Sequence, residues 1–373
     1  MSSAPRPSVT LLSTLLALSG CDSFDFGRVT GTPAPAASVT GAPKAVPSSA
    51  ASAEAPSQVV PGRLEIVLGG EIAFLPDPKP KGSGAAAADA LASIRPILQD
   101  ASATAASLTT PLDGRALGPM HVPAAEALLS ARLGMLDVAT VATTTPAALA
   151  TGTLAALVRS GPAIAGAGAT AAERGRGARV VTPSGAVGLV AFTRGSAEDA
   201  AALSSAIHGS RAACDVLVAS LGGATPGAET PSAADTALAK VAVDAGADVV
   251  VLHGGKVPLG VAFVSGHPVF HGLGRLMGAD DPKEPWSSRG FLARLSYEKK
   301  GAPPVVELCP YLLANGEPAL LGGLSRTTQE GVFRRAIARL SEPLGPVSVG
   351  DPDAHSCFRV TPAEAPAAPS AAP

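Results

Sequence analysis

Residues 233–277 restrict the fold more than any other stretch of this chain. Ala233 to Val243 keeps helical spacing, and Gly246 supplies the left-handed residue that stops a helix. Ala247 to Leu252 is then apolar apart from Asp248 and rich in β-branched side chains, the pattern of a strand buried on both faces. Gly254-Gly255 turns the chain. Val261 to Val264 and Pro268 to Phe270 follow as two short strands joined at Ser265-Gly266, a hairpin signal. A helix feeding a doubly buried strand implies an α/β fold. His253, Lys256, His267 and His271 gather just beyond that strand, and α/β proteins place their sites at the carboxyl ends of central strands.

The same alternation runs through the rest of the folded part. Arg63 to Gly69 reads as the first strand and Ala85 to Gln99 as a helix that Pro96 kinks or ends. Pro123 to Leu133 reads as a helix with proline in its first turn, and Asp137 to Ala142 as a strand. Ala147 to Ser160 is a helix, Arg179 to Thr182 and Val187 to Thr193 are paired strands, and Glu198 to His208 is a helix capped by Ser196. Asp215 to Leu221 is a buried strand. Strands at Gly290 to Ser296 and Val305 to Tyr311 precede a helix from Thr327 to Leu340. Of the 373 residues, 46% are hydrophobic but only 3% aromatic, so the core must be aliphatic. Trp286, the one tryptophan, reads as a rim or partly buried aromatic.

The ends differ from the middle. Arg6 and the apolar run Val9 to Leu18 have the layout of a signal peptide, too short to span a bilayer. The run closes on Leu18-Ser19-Gly20-Cys21, which resembles a bacterial lipobox, with cleavage before Cys21 and acylation of its sulfur. Residues 1–20 are therefore expected to be a signal peptide, and 21–62, rich in Pro, Ala and Ser, a disordered tether. Residues 63–361 form the folded domain, and 362–373 a disordered tail. An exported, lipid-anchored protein of the cell envelope is implied, with inner or outer membrane left open. Cys214 opens an apolar strand and reads as a buried thiol. Cys309 and Cys357 are expected to pair in an exported protein. A net charge of −2 leaves no basic footprint for nucleic acid.

Several stretches resemble CapA-type proteins, the poly-γ-glutamate capsule biosynthesis family within the calcineurin-like metallophosphoesterase superfamily. Gly246-Ala247-Asp248, Val257, Gly266, Pro268, Phe270, Leu273 and Gly274 match its closing segment. Leu108, Thr110, Pro111 and Leu112 match an earlier one. The likeness covers about residues 63–325. It implies a metallophosphatase-like four-layer sandwich, two mixed sheets flanked by helices, with metal ligands at the strand ends. Those positions here are Gly70, Ser107, Thr143, Thr144, Thr145, Gly222, Gly254, Lys256 and Arg275. None is an ordinary metal ligand, and a two-metal centre needs converging carboxylates and imidazoles. Glu71, beside Gly70, reads as a loop carboxylate, and His267 and His271 as surface positions of the hairpin.

The expectation is a CapA-like protein of capsule or envelope polymer biology with no catalytic residues and no cofactor, acting as a binding or scaffolding module. Lys256 and Arg275 are the candidate contacts for an anionic polymer, and an envelope protein is the other partner class. The competing reading is a residual metal-dependent hydrolase, acting on an envelope polymer or phosphodiester, with one divalent metal on Glu71, His253, His267 and His271. Gly-x-Ser-x-Gly, a Walker loop, a Rossmann fingerprint and a zinc-type cysteine pair are all missing from the sequence.

Overall fold

A computed structural model describes residues 62–74, 90–112, 133–145, 147–168, 171–193, 198–223, 228, 230–278, 283–284 and 286–363. The chain divides into Met1–Glu54 and Ala55–Pro373, and every described residue belongs to the second unit. The expected signal peptide, the lipid-bearing Cys21, the tether, the helix at 123–133 and the Ser196 cap lie outside these residues, apart from Gly62 and Leu133 at their edges. No helix among the described residues is long and apolar enough to cross a membrane.

Strand β1, Leu64–Ile72, shows why two sheets form. Ile66 and Leu68 enter one apolar cluster, while Val67 between them enters another. Successive strand side chains point to opposite faces, so a strand apolar at both parities must be covered twice. Parallel to β1 run β2 (Ala103–Leu108), β3 (Met135–Asp137) and β4 (Ala163–Ala165). On its other side lies antiparallel β12 (Arg289–Tyr297), then β13 (Val305–Ala314), β16 (Phe358–Pro362) and β15 (Val347–Pro352). Short β11 (Arg275–Met277) and β14 (Glu317–Leu320) pair with β1 and β13. The second sheet runs β5-β6-β7-β8-β10-β9: Ala178–Thr182, Gly185–Thr193, Val216–Gly222, Val249–Leu252, His267–Phe270 and Val261–Val264. Its four inner strands are parallel and its two edges antiparallel.

In chain order the helices of the described residues are α1 (Arg95–Leu98), α2 (Ala139–Thr144), α3 (Ala147–Ser160), α4 (Ala171–Arg174), α5 (Glu198–Arg211), α6 (Ala233–Asp244) and α7 (Arg326–Ser341). Three apolar clusters separate four layers. In the middle, Ile66, Leu68 and Phe291 of the first sheet share a cluster with Leu189, Val218 and Val251 of the second. The outer face of the first sheet is covered by Leu91, Ile94 and Ile97, and by Leu157 of α3. The outer face of the second is covered by Leu203 and Ile207 of α5 and by Ala239 and Val243 of α6. The fold is thus an α/β sandwich of two mixed sheets flanked by helices.

Five expectations are corrected. The described part of the 85–99 helix is a 3-10 turn, Ala92–Ile94, followed by the four residues of α1, because Pro96 sits in the first turn of α1 and starts a new helix there. The strand expected at 137–142 ends at Asp137 and gives way to α2. The Asp137 carboxylate accepts the Ala139 N–H at 2.8 Å, and Val138 and Val141, three apart, share the buried face of a helix. Glu71 belongs to β1 rather than to a loop. His271, read as a surface position of the hairpin, is 2% exposed. Pro362, assigned to the tail, closes β16, and Ala363 N–H donates to Pro346 O. Strands β11, β14, β15 and β16 had no counterpart in the sequence reading.

The hairpin turns through Ser265 and Gly266, with φ of 52° and 85°, the two left-handed residues of a type I′ turn. Trp286 is half-buried, edge-on to Phe333 at 5.9 Å, and carries the Arg289 guanidinium 4.8 Å above its ring. A disulfide joins Cys309 to Cys357, and Cys214 is buried and free.

Candidate functional site: the strand-end cleft

The parallel strands of both sheets end on one edge of the sandwich, and a row of polar residues crosses it. Arg275 pairs with Glu71, Glu71 with Ser107, and Ser107 with Asp137. Residues in register share a face, so the row looks toward the second sheet. Glu71, Ser107 and Asp137 are all buried.

Each carboxylate is already engaged. Glu71 accepts the Gly254 N–H at 2.5 Å across the cleft. Burial raises its pKa, against the pull of the Gly254 and Lys256 N–H groups and of the Arg275 and Lys256 charges. Asp137 accepts the Ser220 hydroxyl at 2.6 Å and the Ala139 N–H at 2.8 Å. Burial pushes it up to about 6, while Ser220, Ala139 and Ser107 pull it down. This Asp137–Ser220 bond ties the two sheets together. The sequence reading missed it, although a lone Asp after Met-Leu and a lone Ser inside an apolar strand were visible signals of a buried polar pair.

The positions where the resemblance puts metal ligands do not fit a metal centre. Gly70 has no room for any side chain: a Cβ there would lie 1.9 Å from the Gly274 carbonyl oxygen. A Cβ at Gly222 would lie 2.7 Å from Thr140 Oγ1. Thr143 and Thr144 turn their hydroxyls back to the carbonyls of Ala139 and Thr140, at 2.8 and 2.7 Å, and Thr145 caps the same helix. Lys256, exposed and at φ 62°, and Arg275 bring positive charge where a divalent cation would sit.

The four-residue alternative is not assembled either. His253 and His271 lie at this edge, following β8 and β10. His267 starts β10, a four-residue strand that spans about 13 Å. Its Nδ1 lies 3.3 Å from the Asp248 carbonyl, at the opposite end of the sheet. Among the described residues no three His, Cys, Asp or Glu side chains form a metal-holding group.

Burial drops His253 and His271 to about 4, with Asp235 opposing the shift at His271. Among the described residues neither ring nitrogen of His271 has a hydrogen-bond partner. Such a depressed histidine contributes stability above its ordinary pKa of 6.5, lost as pH falls toward 4 because the unfolded chain takes the proton first. Asp137, raised from 3.8 to about 6, works the other way and loses its contribution as pH rises through 6. His271→Leu is therefore expected to stabilise the protein by about 1–3 kcal/mol at neutral pH. The gap over wild type widens between pH 6.5 and 4 in urea titrations. A gap that narrows on acidification contradicts this account of His271.

A two-sheet α/β sandwich with a polar row at its strand ends is the class of protein defined here. The profile of the bacterial capsule synthesis protein PGA_cap matches residues 65–278, and the chain belongs to that family. The match runs from β1 to the end of β11 and contains the whole cleft. Among solved structures, a hypothetical protein from Thermus thermophilus is similar at 14% identity and a TM-score of 0.45, over 67% of this chain and 98% of that one. A putative 5′-nucleotidase from Staphylococcus aureus, in complex with alpha-ketoglutarate, is similar at 10% identity and a TM-score of 0.44. It covers 79% of this chain, which spans 62% of the nucleotidase chain. No curated protein matches.

Proposed function

We propose that this member of the capsule synthesis family is a non-catalytic binding or scaffolding module of the cell envelope, anchored by lipid on Cys21. The observation that carries the reading is the Gly70 contact: the place for a first metal ligand is filled by the backbone of Gly274. The two buried carboxylates nearby are spent on holding β1, β3 and the 254–256 turn in place. The residues present at the strand ends do not fit a metal.

The ligand reading follows from charge. Lys256 and Arg275 flank the cleft and act on Glu71, which is buried. An anionic polymer segment would meet those two cations at the rim, and poly-γ-glutamate is the natural probe. Wild-type protein is expected to retain it at low salt. The Lys256→Ala/Arg275→Ala double variant should bind at least about tenfold more weakly, the effect of two partly screened charge contacts. Equal binding by both proteins, or none by either, contradicts this ligand assignment.

A further inference from the structure

The other end of the sandwich holds a cavity of about 320 Å³ that the strand-end cleft does not touch. It lies where β7 and β8 begin, and it is bounded by Arg211, Asp215, Asp248, His267, Tyr297 and Lys300. Asp248 accepts from Arg211 at 2.5 Å and from the Leu217 N–H at 2.7 Å, both on Oδ2. Asp215 takes the Ala186 N–H at 2.7 Å and the Lys300 ammonium at 2.6 Å. Two cations and two carboxylates therefore cancel, and the cavity favours neither an anion nor a cation.

Hydrogen-bonding capacity is left over. An ionised carboxylate offers about four acceptor sites and an ammonium three donors, and the bonds above use only part of them. Tyr297 is 5% exposed, and its buried hydroxyl has no hydrogen-bond partner among the described residues. Burial and the Asp248 charge keep that phenol protonated. A buried hydroxyl left unpaired is costly, so a group that completes it gains more than one bonding to exposed polar atoms. Pro303, Pro304 and Val216 add an apolar wall. Neutral charge, donors and acceptors side by side, and an apolar wall suit a ligand with many hydroxyls and a C–H face.

We propose that this cavity binds a saccharide unit, with the Tyr297 hydroxyl and the Lys300 ammonium reaching its hydroxyl groups. The site is independent of the cleft and of the role assigned to Lys256 and Arg275. Saturation-transfer NMR on the full chain, with methyl α-glucoside and N-acetylglucosamine as probes and glutamate and inorganic phosphate in separate arms, tests it. Transfer to a sugar is expected, reduced about fivefold in Tyr297→Phe, the effect of one hydrogen bond. Lys300→Ala, at an exposed side chain, decides the matter if Tyr297→Phe fails to fold. No transfer to either sugar, transfer unchanged in the folded variant, or stronger transfer to glutamate or phosphate overturns the proposal.

Discussion

Gly70→Ala is expected to lower the unfolding free energy by more than about 3 kcal/mol, the upper range for forcing an atom into packed structure. The added Cβ would lie 1.9 Å from the Gly274 oxygen and 2.9 Å from its carbonyl carbon. Both are backbone atoms, so no side chain can rotate away. Gly274 cannot retreat either. It adopts φ 79°, its own Cβ position faces the Arg289 oxygen at 2.6 Å, and its carbonyl accepts the Glu71 N–H at 3.0 Å. Gly70→Asp, which would restore a carboxylate at the ligand position, should then give unfolded protein rather than a metal site. Denaturant midpoints at unchanged slope read the effect. A Gly70→Ala midpoint equal to wild type would show that β1 and β11 can separate.

The second large effect concerns the disulfide. Cys309 lies in β13 and Cys357 one residue before β16, 48 positions apart. The closed loop contains β14, α7 and β15, so the bond constrains the whole C-terminal part. For a loop of that length the chain-entropy estimate is about 4 kcal/mol. Both sulfurs are buried, so Cys309→Ala/Cys357→Ala adds a cavity cost. The double variant is expected to unfold at a clearly lower denaturant concentration, and reductant should shift wild type but not the variant. With Cys21 acylated, one thiol, Cys214, should react after unfolding without reductant. Three reactive thiols would contradict the pairing.

Much of this architecture is legible in the residues because strands buried on both faces cannot be written otherwise. Val249 to Leu252 and Val216 to Leu221 offer no polar face, and Ser265-Gly266 fixes its hairpin by backbone conformation alone. The short strands β11, β14, β15 and β16 were not legible. Their pairing comes from partners far along the chain, and β15 holds no fully buried residue to mark an inward face. The start of α2 misled because Val138 and Val141 read equally well as strand residues until the bond from the Ala139 N–H to the Asp137 carboxylate is known.

The cleft was legible as a list of missing ligands but not as a set of contacts. Sequence shows that Gly70 lacks a carboxylate; only the structure shows that Gly274 occupies its space. His267 looked close to His253 because a hairpin returns the chain. The direction of β10 puts His271, not His267, at the cleft edge. Asp137 and Ser220 are 83 positions apart, and no local pattern joins them.

Metal content of the purified protein, after incubation with Zn²⁺ and Mn²⁺ and desalting, decides whether the cleft is a metal centre. Less than about 0.1 equivalent of either metal is expected, because no converging donor set is built at the strand ends among the described residues. A full equivalent that disappears in His253→Ala would contradict it and place a working metal site in the cleft.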